Sequence, residues 1–237
     1  MDIIAQEKFQ ELYENHIDYL ATEGQKGKRM IFNQCIIWWD LENANLSKAV
    51  FRNCQFYSCS FVNCKFYDCY FINCNFANSL FFSDFTDTYF ENCNFHTADL
   101  SCAQNFDKAK FYGYNHFLAL QCPEEGSFIG WKIAETTHDY YILKLEIPAD
   151  AKRSSATSRK CRASKAKVLE IQTLGGELAK VKKVDSIYHK PFTYSLGETY
   201  EVEDFDDNRW RECSTGIHFY LTRDEVMDFY EHSILVN

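Results

Sequence analysis

Proline and glycine are scarce, three and nine in 237 residues, which excludes collagen-like and low-complexity chains. No run of eighteen apolar residues occurs, so no transmembrane helix is expected. The opening residues, MDIIAQEKFQEL, lack a basic stretch followed by an apolar one. No signal peptide is expected from them, and the expected location is cytoplasmic. Phosphate loops, dinucleotide-binding glycine fingerprints and paired-carboxylate signatures are missing too, so no cofactor, no metal and no enzyme activity are expected. What is abundant is Phe (21), Tyr (15) and Cys (11), in a chain that is 46% apolar and can bury a core. In an unexported chain those cysteines are expected to be thiols rather than a disulfide framework.

The cysteines crowd the first half because they sit on a repeat. From Ala44 the chain spells ANLSK, AVFRN, CQFYS, CSFVN, CKFYD, CYFIN, CNFAN, SLFFS. Large apolar residues recur every fifth position at Leu46, Phe51, Phe56, Phe61, Phe66, Phe71, Phe76 and Phe81, each preceded by two with Ala, Cys or Ser. The register slips by one to Phe85, Phe90, Phe95 and Leu100, and an extra residue restores it at Phe106 and Phe111. Backwards, Leu41 and Ile36 continue the series, with Trp39 and Gln34 before them.

A period of five suits neither an amphipathic helix nor a flat strand. It needs a chain that turns equally after every unit, which is a solenoid. These units resemble the pentapeptide-repeat family, whose A(N/D)LXX units wind a right-handed, four-sided β-helix; here Phe stands for most central Leu and Cys for much of the Ala. The resemblance implies about four coils in which residues roughly twenty apart stack. The expected columns are Ile36/Phe56/Phe76/Phe95, Leu41/Phe61/Phe81/Leu100, Leu46/Phe66/Phe85/Phe106 and Phe51/Phe71/Phe90/Phe111. Asn53, Ser58, Asn63, Asp68, Asn73, Asn78 and Asn92 fall where the chain must turn, which suits their side chains. Cys54, Cys59, Cys64 and Cys69 would point inward in one coil. CxxxxC is not zinc-clip spacing, so small reduced thiols in the corners are expected, with disulfides along Cys54, Cys74 and Cys93 as the alternative.

Before the repeat, residues 2–22 form an amphipathic pattern with Ile4, Phe9, Leu12, Tyr13, Ile17 and Leu20 on one face, expected to cap the first coil. The resemblance extends loosely to His16 and to the glycines of the loop, Gly24 and Gly27. Beyond the repeat, Cys122-Pro123-Glu124-Glu125-Gly126 reads as a linker, followed by segments rich in β-formers and a terminal helix from Thr222 with Glu225 three on. The fold class is therefore mainly β: an N-terminal helix and loop (1–30), a pentapeptide β-helix (31–122) and a small β-rich α+β domain (123–237). With IGWK, KRSSATSRKCRAS and RWRECSTGIHFYLTRDE, the last resembles an uncharacterised domain that accompanies pentapeptide repeats in bacterial and phage proteins; no activity follows from that resemblance, and an accessory or regulatory factor is the expectation.

Some pentapeptide-repeat proteins bind type II topoisomerases by imitating duplex DNA, so the resemblance makes a DNA mimic one reading. From Leu41 to Cys122, however, there are seven acids and five bases, a net of −2 within a chain of −9. Duplex DNA carries one charge per about 1.7 Å of axis. The leading expectation is a non-enzymatic interaction protein with a protein partner, a second copy being the other occupant. Its candidate surface is one solenoid side carrying Tyr70, Ile72, Tyr89 and Tyr112.

In the second domain, Lys152, Arg153, Arg159, Lys160 and Arg162 lie among Ser and Thr with no acid between. They are candidate phosphate or nucleic-acid contacts. Pairing with the acidic stretch 198–207 is the alternative. Cys213 and His218 are a candidate reactive pair, with His189 elsewhere in the domain.

Overall fold

The computed structural model describes residues 1–188 and 192–235. It divides into two compact units, Met1–Ala119 and Leu120–Asn237.

The first unit is a β-solenoid of about four turns. Its short strands pair in parallel with the strand one coil away. Five of them, Ile31–Asn33, Val50–Arg52, Tyr70–Ile72, Tyr89–Glu91 and Lys110–Tyr112, form one face. Leu41–Glu42, Ser60–Lys65 and Leu80–Asp84 form another. Single bridges along Gln55, Asn75, Asn94 and His116, and along Asn45, Lys65, Asp84 and Gln104, make the remaining two.

Most corners are turned by a residue in the left-handed region. The sequence places Asn53, Ser58, Asn63, Asp68, Asn73, Asn78 and Asn92 there, and all seven have φ between 51° and 59°. Asn and Asp tolerate this conformation better than other non-glycine residues. Asparagines at successive corners also join side chain to side chain, Asn73 Nδ2 to Asn53 Oδ1 and Asn53 Nδ2 to Asn33 Oδ1, each at 3.1 Å.

The four phenylalanine columns form the core. Phe56, Phe76 and Phe95 stack with centroids 5.2 and 5.4 Å apart, and Phe51, Phe71 and Phe90 stack at 5.1 and 5.3 Å. The one-residue slip is a corner cut short. Val62 pairs with Phe82 and Lys65 with Asp84, so Asn63 and Cys64 oppose Ser83 alone, and no residue between Asn78 and Asp87 has positive φ.

The first coil corrects one expectation. Ile36 does not point inward: it pairs with outward Gln55, while Ile37 is fully buried and takes the column position. Phe32 lies one unit earlier, stacked on Phe51 at 5.5 Å. The step from Ile37 to Leu41 is thus a second four-residue corner, with no positive φ between Gln34 and Asn43. The small residue that belongs with Ile37 is Cys35, 2% exposed, not Gln34.

The small positions do more than fill space. Cys59, Cys64, Cys74 and Cys93 direct Sγ at the carbonyls of Ile37, Leu41, Phe51 and Phe71 in the coil before, at 3.0–3.4 Å. Ser83 and Thr88 donate hydroxyls the same way to Phe61 and Phe66, at 2.8 and 2.9 Å. Cys, Ser and Thr interchange here because each is small and donates one hydrogen bond to a buried carbonyl. All eleven cysteines are free thiols.

Helix α1 (Gln6–Ala21) caps the first coil. Phe9 stacks on Phe32 at 5.9 Å and meets Trp39 edge-on at 6.0 Å. The buried face is narrower than the apolar pattern: Phe9 and His16 are buried, whereas Leu12, Tyr13, Ile17 and Leu20 are half-buried. His16 is a bracket between segments. Its Nδ1 accepts from the Met30 N–H at 3.1 Å and its Nε2–H donates to the Ser47 carbonyl at 3.0 Å. Burial lowers its pKa. Gly27, at φ +70°, has no room for a Cβ, which would lie 2.2 Å from the Asn15 carbonyl oxygen.

The second unit has a six-stranded antiparallel sheet whose long strands are Phe128–Glu135, Tyr140–Ile147 and Lys165–Thr173. A three-stranded sheet, Arg153–Ser155, Cys161–Ala163 and Ile217–Phe219, packs on it through Leu143, Leu145, Val168, Ile217 and Phe219. Gly130 admits this approach, since a Cβ there would lie 2.7 Å from the Phe219 ring. Helix α2 (Arg223–Phe229) covers Ile133 and Ile142 with Val226, and the expected capping box between Thr222 and Glu225 is formed. Cys122, read as the start of a linker, is 4% exposed in this unit's core.

Candidate functional site

On the five-stranded solenoid face, two rows of side chains point outward in register. One runs Ile31, Val50, Tyr70, Tyr89, Lys110, with Val50 covered at 3% exposure, and the other Asn33, Arg52, Ile72, Glu91, Tyr112. All four candidate partner residues, Tyr70, Ile72, Tyr89 and Tyr112, therefore share this face. The Tyr70 and Tyr89 rings stack with centroids 4.3 Å apart, and Tyr112 lies 6.1 Å beyond Tyr89, near parallel. Cations flank the stack. The Arg29 guanidinium sits 5.7 Å from the Tyr70 centroid, its Nε donating to the Lys48 carbonyl. The Lys110 ammonium sits 4.6 Å from the Tyr89 centroid and 2.9 Å from Asp87. Its hydrogen bonds to the Tyr89 hydroxyl and to Asp87 hold Lys110 firmly protonated. The stack is amphipathic, polar-tipped and held by the coil spacing rather than by loops.

The face bearing Leu80 and Phe82, each 38% exposed, escaped the sequence reading. Phe82 directly follows inward Phe81, so its outward direction was available from the period.

In the second unit, the basic segment is not an open loop. Residues 153–155 and 161–163 are strands, and Ser154, Ser155 and Thr157 are buried. The candidate cations are dispersed. Arg162 is 1% exposed and donates to the carbonyls of Asp206, Thr215 and Asn208 at 3.1, 2.6 and 3.1 Å, tying down residues 206–215. Arg153 donates to the carbonyls of Gly126 and Pro148, Arg159 pairs with Glu225 at 2.6 Å, and Lys152 pairs with Asp207 at 3.0 Å. Lys160 faces a cavity.

That cavity, of about 470 Å³, is lined by Lys132, Lys160, Cys213, His218, Ser186, Tyr188 and Tyr220, with Ile133, Ile187 and Phe229 as apolar walls. It brings Cys213 and His218 into one site; His189 lies outside the described residues. The imidazole donates Nε2–H to the Glu212 carbonyl at 3.1 Å. Burial, with Lys160 and Lys132 nearby, takes its pKa down to about 3. A group so reluctant to take a proton is a poor general base near neutrality. The neighbour of the Cys213 sulfur is instead the Lys160 ammonium, at 3.4 Å.

Lys132 is also strongly perturbed in the cavity. Burial lowers its pKa to about 8, and Lys160 adds to this. Its contact is the Tyr194 ring at 5.7 Å, and among the described residues no carboxylate pairs with it. Sequence reasoning missed Lys132 because it sits singly in a strand, with nothing local to mark it.

Sequence models described as pentapeptide repeats match residues 41–84 (nine copies) and 79–113 (eight copies). A family of unknown function (DUF5758) matches residues 118–226. The chain thus carries pentapeptide repeats followed by a C-terminal domain of that family of unknown function. No curated protein matches it. Among solved structures, a structure of QnrB1, a plasmid-mediated fluoroquinolone resistance protein, is similar at 20% identity, with a TM-score of 0.15. The match covers 29% of this chain and 38% of that one. Among the described residues no helix is long and apolar enough to cross a membrane.

Proposed function

We propose that this protein is a non-enzymatic, cytoplasmic interaction protein whose solenoid presents the Tyr70–Tyr89–Tyr112 face to a protein partner. The supporting observation is the stack itself: Tyr70 and Tyr89 in register, with Tyr112 of the neighbouring row stacked beyond Tyr89, flanked by Arg29 and Lys110. Tyrosine and arginine are the residues that dominate protein interfaces, and a pre-ordered face loses little entropy on binding. Duplex mimicry has less support, because the repeat's seven acids and five bases nearly balance. A photo-crosslinking residue placed at Ile72 tests the reading, with Asn75 on another face as control. Position 72 should crosslink to a protein in the source cells, and Tyr70→Ser with Tyr89→Ser should abolish the adduct. A crosslink to a second copy would identify a homodimer. Crosslinking equal at both positions, or confined to nucleic acid, would refute the proposal.

A further inference from the structure

The cavity of the second unit is independent of the solenoid face and has its own chemistry. Among the described residues, two ammonium groups, Lys132 and Lys160, line it and no acid does. The nearest compensation lies elsewhere. Glu201, Glu203 and Asp204 line an adjoining 330 Å³ cavity that shares Lys132, Ser186 and His218, and Glu201 is engaged by Lys165 at 3.4 Å. Glu212 is held by the Ser158 hydroxyl at 2.5 Å and offers the cavity wall its carbonyl, through His218. The imidazole is neutral and contributes an acceptor, Nδ1. The remaining wall is aromatic and aliphatic: Tyr188, Tyr220, Phe229, Ile133 and Ile187. An apolar pocket of several hundred cubic ångströms with a few convergent polar groups is the usual form of a small-molecule site. A half-buried ammonium without a carboxylate is a charge awaiting a counter-ion.

We propose that this cavity binds a small molecule bearing one carboxylate or phosphate group on an apolar, aromatic body. Lys132 and Lys160 take the anion, Tyr220 and Phe229 flank the body, and the Cys213 thiol sits beside the anion through its contact with Lys160.

Cys213 provides the test, because it and Cys102 are the exposed thiols and lie on different units. The reduced full-length protein is alkylated with iodoacetate, an anion, and separately with neutral iodoacetamide, and each thiol is followed by peptide mass spectrometry. The ratio of the two rates cancels differences in thiolate content between the sites. It should be about tenfold higher at Cys213 than at Cys102, as expected for a small anion drawn by two partly screened ammonium groups. Phenyl phosphate or benzoate should slow Cys213 alone, and neutral benzyl alcohol should not. Lys132→Met and Lys160→Met should each bring the Cys213 ratio down toward that of Cys102, while Lys132→Arg should keep it high. Lys132→Met preserves side-chain volume and removes a buried charge, so loss of fold is not the expected result. Circular dichroism checks it, and the wild-type protection by phenyl phosphate stands without any variant. Equal ratios at the two thiols, ratios unmoved in both Met variants, or protection no better than with benzyl alcohol would overturn the proposal.

Discussion

Removing the Phe76 ring tests the account of the solenoid core most directly. Phe76 is fully buried and stacks on Phe56 at 5.2 Å and Phe95 at 5.4 Å. Edges of Phe61, Phe71, Phe81 and Phe90 surround it at 5.1–6.0 Å. Phe→Ala in a close-packed core costs about 3–5 kcal/mol. Aromatic pairs add about 0.5–1.5 kcal/mol each beyond burial, though not additively, so the upper part of that range is expected. Against a typical total of about 5–15 kcal/mol this is a large fraction. Phe111 is the contrast: it is 41% exposed and touches Phe90 and Phe106 at 5.7 and 5.3 Å. Phe111→Ala should cost about 1–2 kcal/mol, in proportion to its partial burial. Hydrogen exchange read peptide by peptide separates the two. Phe76→Ala should lower protection in the coils on both sides, because a solenoid is stabilised through its neighbours, and leave residues 128–173 unchanged. Similar losses from the two variants, or a Phe76→Ala loss below about 1 kcal/mol, would refute the claim that stacked phenylalanines hold the coils together.

The corner ladder predicts that Ser83→Ala destabilises the solenoid by about 1–3 kcal/mol by leaving the Phe61 carbonyl without its donor, while Ser83→Cys recovers part of it; urea titration measures both. Arg162→Met should destabilise the second unit by about 3–5 kcal/mol, since it strips three carbonyls of a guanidinium partner, and exchange should rise across residues 204–216 first. His218 has a folded pKa of about 3 against an unfolded value near 6.5, so the unfolded chain binds the proton more readily. Stability from the neutral imidazole is full above pH 6.5 and falls by at most about 1.4 kcal/mol per pH unit down to pH 3. The difference between wild type and His218→Phe across pH 3–7 isolates this from the carboxylates. Gly27→Ala should loosen α1 from the first coil, seen as faster exchange in residues 6–21, because its Cβ has no space beside Asn15.

The repeat was legible because a solenoid is local. Each five-residue unit makes its own turn and meets the coil about twenty residues away, so inward Phe, small corner residues and left-handed Asn all appear as a period. Where the period broke, as at Ile37–Leu41, reading Ile36 as inward failed. A four-residue corner looks like a phase error until the coil beside it sets the register. The second unit was legible in its long strands and capping box, which depend on alternation and on residues three apart. Its basic segment was not. Arg153, Arg159, Lys152 and Arg162 find their partners in Gly126, Glu225, Asp207 and residues 206–215, and no local signal distinguishes a buried guanidinium from a solvated one. Sequence alone thus determined the coil, its core and the solenoid face that carries Tyr70, Tyr89 and Tyr112, all consequences of short-range geometry. Only the tertiary structure decided which charges are spent inside the domain and which, Lys132 and Lys160, face an open cavity, because burial and counter-ions belong to residues far apart along the chain.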